Sequence, residues 1–181
     1  MNIFILDKDI PTSVQCYIDK HIVKIPLEVA QLLCTARRHS GDERPKYKST
    51  HVNHPWSLFT RLNKANYLYV CCYGMELCKE YEYRYGKIHA CREVILDCAI
   101  SSPFSYDLQA DILRIYSLSR VGYFDKRVPC CVKDEYKSAD IIQSYRDYYI
   151  GDKVFTKSGK LMASWKKREK PVWFTDVYNV L

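Results

Sequence analysis

The longest helical pattern in the sequence runs from about residue 55 to residue 85 and stops at Gly86. Two asparagines, Asn63 and Asn66, interrupt its apolar stripe. A helix of this length has to cover that stripe with other helices, which predicts a fold built mainly from packed helices. The residues that share the stripe at helical spacing are Trp56, Phe59, Val70, Leu77 and Tyr81.

Four further segments favour helices, and a fifth favours a strand or an extended arm. Thr12 and Gln15 match a capping box and predict the start of a first helix. Pro26 marks a kink or, as the favoured interpretation, the first turn of a second helix, which ends in basic residues before Gly41. Residues 87–101 and 138–154 predict two more helices, the latter capped by Ser138. Residues 2–6, "NIFIL", predict a strand or an extended arm, and residues 104–135 a mixture of short helix and loop.

Length and apolar content favour one domain. The chain has 181 residues, of which 48% are hydrophobic, enough for a substantial core without disulfides. No internal repeat or linker divides it. We therefore predict a mainly α, single compact helical domain over residues 1–181, with a short N-terminal extended arm. Residues 1–150 form the helical core and residues 151–181 a basic, aromatic C-terminal tail packed on or beside it.

The charge and the tyrosines favour a polyanionic partner. The formal net charge is +7, and there are 16 tyrosines. Cationic groups neutralise phosphates and aromatic rings stack on bases, so the composition suits nucleic acid, with double-stranded DNA favoured. The alternative is structural: tyrosines at the edge of the core, and a solvated basic tail anchored by Trp165 and Trp173.

The nine cysteines do not resemble a secreted disulfide framework, because their number is odd and two pairs are adjacent. The first residues lack the features of a signal peptide, and no apolar run approaches the ~20 residues of a membrane span. We expect reduced thiols in the cytoplasm, in an infected host cell if the protein is viral, with no membrane association.

Metal and nucleotide-cofactor motifs are weak. "HACRE" and "PCC" superficially resemble zinc deaminase signatures, but Glu93 lies four residues after His89 and the second cysteine is misplaced. Six glycines leave little room for a phosphate-binding loop or a dinucleotide fingerprint. We therefore expect no metal and no cofactor.

The segment "DKHIVKIPLEVAQLL" carries the best candidate for catalysis. Lys20, Lys24 and Glu28 recur at one helical turn, with His21 beside them. A carboxylate early in a helix can act as a base or stabilise a developing cation, and a nearby lysine amine can attack a sugar carbon. The alternative is a surface ion pair of Lys24 and Glu28 worth a few tenths of a kcal/mol.

The order of these segments resembles a known enzyme family. An extended arm is followed by a helix with an early glutamate ending "ARRHSG", by "HVNHPWSLFTR" before a long helix ending "ELCKEYEYRYGK", and by "SYRDYYIGDK". This arrangement resembles the pyrimidine-dimer DNA glycosylase/AP lyase family of phages over about residues 1–90 and 138–155. The opening "NIFILD" with "DKHIVKIPLEVAQLL" also resembles phage and large-DNA-virus proteins to which no function can be attached.

The glycosylase resemblance implies a flipped-out nucleotide, a glutamate that stabilises the sugar cation, and attack by an N-terminal amine to give a Schiff base before strand cleavage. Glu28 would take the glutamate's role. The family exposes a small second residue by removing the initiator methionine. Here Asn2 stands at that position, and a side chain of its size normally blocks the removal. The nucleophile is therefore the α-amine of Met1, Lys24, or a water activated by Glu28.

The candidate site residues fall into two groups. Those for catalysis are Glu28, Lys24, His21 and Asn2. Either Asn53 or His54 would cap the long helix, while Asn63 and Asn66 would line the pocket wall. The candidate nucleic-acid contacts are Lys20, Arg37, Arg38, His51, His54, Arg61, Asn63, Tyr148, Lys153, Lys166, Lys167 and Arg168.

The expected function is removal of a damaged or modified pyrimidine from DNA by an N-glycosylase, with or without an AP lyase step. Two alternatives remain: a non-catalytic viral nucleic-acid-binding or inhibitor protein, and a transferase that modifies nucleotides or bases in a closed, phosphate-binding pocket. No obligate protein partner is expected.

Overall fold

The computed structural model describes residues 1–105, 128–155 and 158–178, together with residues 107, 110, 113 and 117. Much of the segment predicted as short helix and loop, and Lys157 of the tail, lie outside these residues. The predicted mainly α fold is confirmed, and within the described residues there is no strand, only an isolated bridge between Phe155 and Leu161. The helices are α1 Ile10–Gln15, α2 Asp19–His39, α3 Pro55–Leu62, α4 Lys64–Tyr85, α5 Arg92–Ile100, α6 Ile141–Asp152 and α7 Val172–Tyr178, with a 3₁₀ turn at Asp134–Tyr136.

The predicted starts of the first two helices were wrong. Asp9, not Thr12, caps α1, because its carboxylate accepts both the backbone N–H of Thr12 at 3.0 Å and its hydroxyl at 2.7 Å. The second helix starts at Asp19 and runs through Pro26 without a break. A proline inside a helix removes a backbone hydrogen bond and costs about 3 kcal/mol. The buried face of α2, which includes Ile25 and Val29, supplies packing that offsets this loss.

The long helix predicted over residues 55–85 is two helices. Asn63 lies between them in an extended conformation, with φ −160° and ψ 170°, and its side-chain oxygen accepts the backbone N–H of Asn66 at 2.9 Å. An asparagine side chain that competes for backbone N–H groups ends one helix and caps the next. The predicted stop at Gly86 is confirmed, since this residue has φ 66°.

The cap of α6 also differs from the prediction. The carboxylate of Asp140 accepts the backbone N–H of Ile142 at 2.8 Å, so Asp140 is the N-cap. Ser138 lies two residues too early, and its hydroxyl donates to the carbonyl of Asp140 at 2.8 Å.

Helix α4 is central, because it packs against α1, α2, α3 and α5. Gly74 marks the closest approach. A Cβ atom there would lie 2.6 Å from Cγ1 of Val29 on α2 and 3.1 Å from Cδ1 of Ile95 on α5. Only a residue without a side chain lets the three helices meet at this distance.

The N-terminal segment is buried without forming a strand. The side chains of residues 3–6 are all in the core. Their backbone is satisfied by side-chain hydroxyls: the N–H of Phe4 donates to Tyr17 at 2.7 Å, the carbonyl of Phe4 accepts from Tyr73 at 2.8 Å, and the N–H of Leu6 donates to Ser13 at 2.8 Å. Buried backbone groups need such partners. For Tyr17 and Tyr73 the structural interpretation of the tyrosines therefore holds.

The C-terminal segment is tied to the helices by specific contacts. The indole N–H of Trp165 donates to the carbonyl of Cys16 at 2.9 Å, and the backbone N–H of Lys166 donates to the carboxylate of Asp19 at 3.0 Å. Arg168 pairs with Glu80 through two hydrogen bonds of 2.9 and 3.0 Å. Over the described part of the chain, no helix has the length and hydropathy that crossing a membrane requires.

Candidate functional site

A cavity of about 260 Å³ opens where the N-terminal segment meets α2, the start of α3 and the end of α6. It brings together all four residues predicted for catalysis and three of those predicted for nucleic-acid binding. Its lining consists of Met1, Asn2, Phe4, His21, Lys24, Ile25, Glu28, His54, Cys131, Tyr148 and Lys153.

Glu28 is the centre of the hydrogen bonding in this cavity. Its Oε2 accepts the backbone N–H of Asn2 at 2.7 Å and lies 3.6 Å from the α-amine of Met1. Its Oε1 lies 3.0 Å from Nζ of Lys24, one helical turn earlier. Burial raises the pKa of this carboxyl, but the hydrogen bonds from Lys24 and Asn2 and the nearby terminal ammonium outweigh burial and lower it overall. Glu28 is therefore ionised at neutral pH, next to two amines.

Asn2 holds the chain terminus in place. Its side-chain Nδ2 donates to the carbonyl of Cys131 at 2.8 Å, and its Oδ1 accepts from Nε1 of Trp56 at 2.9 Å and from the hydroxyl of Tyr145 at 3.3 Å. The backbone N–H of Asn2 donates to Glu28, so hydrogen bonds hold both the backbone and the side chain of this residue. The structure thus gives Asn2 a positioning role beside Met1, with its amide nitrogen and its amide oxygen both engaged.

The two histidines of the cavity are neutral at pH 7. Burial, with further contributions from Lys153, Lys20 and Lys24, lowers the pKa of His21 from its ordinary value to about 4. Burial and then the Met1 ammonium lower the pKa of His54. His21 is held by a 2.7 Å hydrogen bond between Nδ1 and the hydroxyl of Tyr149 and by stacking on Phe4, with ring centroids 4.9 Å apart.

His54 is the N-cap of α3. It was one of the two residues predicted to cap the long helix, so that prediction is confirmed. Its Nδ1 accepts the backbone N–H of Trp56 at 3.2 Å. Because Nδ1 is the acceptor, the neutral ring carries its proton on Nε2 and can donate a hydrogen bond from there.

One wall of the cavity is aromatic and cationic. Nζ of Lys153 lies 4.4 Å from the ring centroid of Tyr148, and that ring lies 6.3 Å from the ring of Phe4. Both Tyr148 and Lys153 are partly exposed. A partly exposed ring beside an ammonium can stack on a base and neutralise a phosphate.

The thiol at the cavity is a poor nucleophile. Burial, and then the neighbouring Cys130, raises the pKa of the Cys131 thiol to about 11. A thiol that stays protonated at neutral pH attacks slowly. All nine cysteines lie within the described residues, and all are free thiols.

Several predicted contacts lie away from the cavity. Arg37 is buried and pairs with Asp42 and Asp97 through its guanidinium, the latter at 2.6 Å. Arg38 donates to the backbone carbonyls of Tyr47 and Pro45 and pairs with Glu43. These interactions give both arginines structural roles at the end of α2.

The asparagines predicted for the pocket wall are engaged elsewhere. Asn63 caps α4, and Asn66 is buried with its side-chain Nδ2 donating to the carbonyl of Phe59 at 3.1 Å. Neither lines the cavity. Arg61, near the end of α3, donates to the carbonyl of Val52 at 2.6 Å.

The remaining predicted contacts are at the surface. Lys20 and His51 are exposed, and Nδ1 of His51 lies 2.7 Å from the hydroxyl of Thr50. Nζ of Lys167 donates to the carbonyl of Tyr83 at 2.9 Å, and Nζ of Lys166 lies 5.2 Å from the ring of Tyr85. Arg168 pairs with Glu80, so residues 166–168 of the basic tail are bound to the end of α4 and do not line the cavity.

Four residues that support the site were missed by sequence reasoning. Trp56 and Tyr145 hold Asn2, Cys131 supplies its carbonyl, and Tyr149 holds His21. Trp56 and Tyr145 have buried polar atoms that need partners, which was the available signal. Their partner could not be read from spacing, because Asn2 and Tyr145 are 143 positions apart.

No group of three or more histidine, cysteine, aspartate or glutamate side chains among the described residues could hold a metal ion. The groups that line the cavity are one carboxylate, three primary amines, two neutral imidazoles and an aromatic wall. Comparison of the chain with protein-family models, with curated proteins and with solved structures yields no match.

Proposed function

We propose that this protein is a DNA glycosylase that removes a damaged or modified pyrimidine from a nucleotide extruded into the cavity, using an amine as nucleophile. The observation that carries the proposal is the distance of 3.6 Å between the α-amine of Met1 and the carboxylate of Glu28 inside that cavity. The sequence resemblance to glycosylase/AP lyases and the net charge of +7 support it.

In the proposed reaction, the α-amine of Met1 in its neutral form attacks C1′ of the extruded nucleotide. The bond between C1′ and the base nitrogen breaks, and the base leaves with the electron pair and takes up a proton. The carboxylate of Glu28 stabilises the positive charge that develops on the sugar and accepts a proton from the new ammonium. As the sugar ring opens, the bond between C1′ and O4′ breaks, O4′ takes the proton held by Glu28, and the lone pair of the amine nitrogen forms the imine with C1′.

The imine makes a lyase step chemically accessible. It acidifies the C2′ proton, and removal of that proton by a base such as Glu28 expels the 3′ phosphate by β-elimination. Hydrolysis of the imine by water then regenerates the amine. Lys24 is a second candidate for the nucleophile, because its Nζ also contacts Glu28, at 3.0 Å.

The test uses end-labelled duplexes that are undamaged, UV-irradiated or carry one abasic site, with borohydride added in parallel reactions. Hydride reduces an imine to a stable amine, so a lesion-dependent covalent adduct establishes the imine, and mass mapping identifies the amine. Glu28→Gln keeps the size of the side chain and removes its charge, and we expect a loss of about 10²- to 10⁴-fold in the rate of base release.

Lys24→Met separates the two amines. Adduct formation that survives this substitution and maps to Met1 supports the α-amine, whereas its loss assigns the role to Lys24. Base release without an adduct would mean a monofunctional enzyme with a water activated by Glu28. DNA binding without base release, unchanged in Glu28→Gln, would refute the catalytic proposal and leave a nucleic-acid-binding protein.

A further inference from the structure

Two buried thiols are in contact between α2 and α5, outside the lining of the cavity. Sγ of Cys34 on α2 lies 3.8 Å from Sγ of Cys98 on α5, although the two residues are 64 positions apart in the sequence. Both residues are fully buried. The sulfur atoms of a disulfide are about 2.05 Å apart, so these two need to approach by about 1.8 Å to form one. The helices that carry them already pack against each other.

Polar groups surround the two sulfur atoms. Nη1 of Arg37 donates to Sγ of Cys98 at 3.9 Å. The hydrogen bond with Cys98 lowers the pKa of the Cys34 thiol, and the backbone hydrogen bond with Tyr47 and the charge of Arg37 lower it further, so that together they outweigh burial. The thiolate is the form of cysteine that reacts with oxidants, and this pair stabilises it.

Two thiols on α4 show what burial does without such donors outweighing it. Cys72 and Cys78 are 2% and 1% exposed, and burial raises the pKa of each to about 12. A thiol in that environment stays protonated at neutral pH and only fills space in the core. The hydrogen bonds at Cys34 therefore distinguish it from these equally buried thiols.

The thiol pair lies next to an ion pair that reaches the surface. Nη1 of Arg37 is 2.6 Å from the carboxylate of Asp97 and 3.9 Å from Sγ of Cys98, so the guanidinium bridges the two groups. The side chain of Asp97 is 59% exposed, whereas that of Arg37 is 2% exposed. Hydrogen peroxide is little larger than a water molecule, so local opening at this ion pair is enough to admit it.

We propose that Cys34 and Cys98 form a reversible oxidation site, at which hydrogen peroxide converts the two thiols into a disulfide that the native fold accommodates. The inference goes beyond the proposed function and does not depend on it, because neither residue lines the cavity. The bond would join α2, the helix that carries Glu28, to α5.

The oxidation takes two steps. The thiolate of Cys34 attacks one oxygen of the peroxide, the O–O bond breaks, and the hydroxide that leaves takes up the proton lost from Cys34, which gives water and a sulfenic acid. The thiol of Cys98 then attacks the sulfur of Cys34, the S–O bond breaks, and the departing hydroxide leaves as water with the proton of Cys98. One peroxide is thereby reduced to two waters while two thiols are oxidised. A dithiol reductant reverses the reaction by thiol–disulfide exchange.

The test exposes the folded, reduced protein to hydrogen peroxide, alkylates the remaining thiols and maps the tryptic peptides without reduction. Trypsin separates the two cysteines, because residues 25–37 contain only Cys34 and residues 93–114 only Cys98. We expect these two peptides to be linked, with the loss of two hydrogen atoms, and to be released by dithiothreitol. Cys34→Ala and Cys98→Ala should not give the link. The matched control Cys78→Ala, which removes a thiol of similar burial, should keep it.

The mapping of the wild type needs no variant, so it decides the proposal even if an alanine variant does not fold. No link between these peptides, at a peroxide dose that fully oxidises glutathione in a parallel reaction, would overturn it. A link that forms only after unfolding in urea would do the same. Oxidation that maps only to the partly exposed Cys130 and Cys131 would also overturn it.

A second measurement asks whether the native fold accommodates the bond. A disulfide between residues this far apart restricts the unfolded chain, so we expect the linked protein to have a Tm about 4–16 °C above that of the reduced protein. Cys34→Ala treated in the same way should show no rise, and dithiothreitol should return the wild type to its original Tm. An unchanged or lower Tm of the linked protein would show that the fold does not accommodate the bond and would overturn the proposal.

Discussion

Replacing Asn2 by leucine, which has a similar size and so keeps Met1 in place, tests whether the chain terminus is held at Glu28 by the polar contacts of this side chain. The substitution removes the hydrogen bonds to the carbonyl of Cys131 at 2.8 Å and from Nε1 of Trp56 at 2.9 Å. The hydroxyl of Tyr145 keeps a partner, since it also donates to the carbonyl of Pro129 at 2.6 Å. Trp56 is fully buried, so its indole N–H would be left without a partner.

The magnitude follows from these two lost contacts. A buried polar group without a partner costs about 1–3 kcal/mol. Counting the fully buried indole at that cost and the partly buried carbonyl at about 1 kcal/mol, we expect a loss of about 2–4 kcal/mol in the free energy of unfolding. For a domain of this size, 1 kcal/mol lowers Tm by about 2–4 °C, so the expected decrease is about 4–16 °C.

The assay is thermal unfolding followed by far-UV circular dichroism, with Asn53→Leu as the matched control. Asn53 undergoes the same chemical change but is exposed in the loop before α3. A Tm of Asn2→Leu within about 1 °C of Asn53→Leu would refute the positioning role. If the role is correct, the rate of borohydride trapping also falls in Asn2→Leu, at a temperature where both variants are folded.

Three further predictions concern the core and the site. Arg84→Lys should lower the free energy of unfolding in urea by about 3 kcal/mol or more. The buried guanidinium of Arg84 donates hydrogen bonds to Glu80, Asp19 and the backbone carbonyls of Gln15 and Tyr17, and a single ammonium cannot make all of them. Gly74→Ala should lower the free energy of unfolding by about 1–3 kcal/mol, although alanine has the better helix propensity, because its Cβ would lie 2.6 Å from Cγ1 of Val29. A urea midpoint equal to or higher than that of the wild type would contradict this. The lowered pKa of His21, about 4 when folded against an ordinary value near 6.5, stabilises the fold above pH 6.5, and this stabilisation is lost as the pH falls toward 4. Between those pH values the wild type should lose up to about 3 kcal/mol more than His21→Gln, and parallel pH profiles would show that His21 is not the group responsible.

The parts of the site that were predictable are local in sequence. Lys24 and Glu28 are four residues apart, and any continuous helix places them on one face. Their pairing at 3.0 Å therefore holds although the start of that helix was predicted seven residues too late, at Pro26 rather than Asp19. The stop at Gly86 was predictable for the same reason, because it depends on the conformation of one residue.

The parts that were not predictable depend on contacts between distant segments. Arg37 and Lys24 are both cations on α2, but Arg37 faces Asp97 on α5 and is buried, whereas Lys24 faces the cavity. No periodicity distinguishes them, since the difference is set by which helix packs against each face. The positioning of Asn2 likewise needs α3, α6 and the segment around Cys131 to converge on the chain terminus.

The charges of the cavity divide its roles among its residues. Lys24 and the Met1 ammonium lie beside one carboxylate, Glu28, and Lys153 lines the same cavity. Burial, and then the nearby cations, keep His21 and His54 neutral, so they can exchange hydrogen bonds with a base but cannot neutralise a phosphate at pH 7. In the proposed reaction the lysines would therefore neutralise the phosphate, and the attacking group would be one of the two amines that lie beside Glu28. The side chain of Lys24 is 63% exposed and that of Met1 is 2% exposed. Met1 is the more enclosed of the two, and for this reason we favour its α-amine over Lys24 as the proposed attacking group.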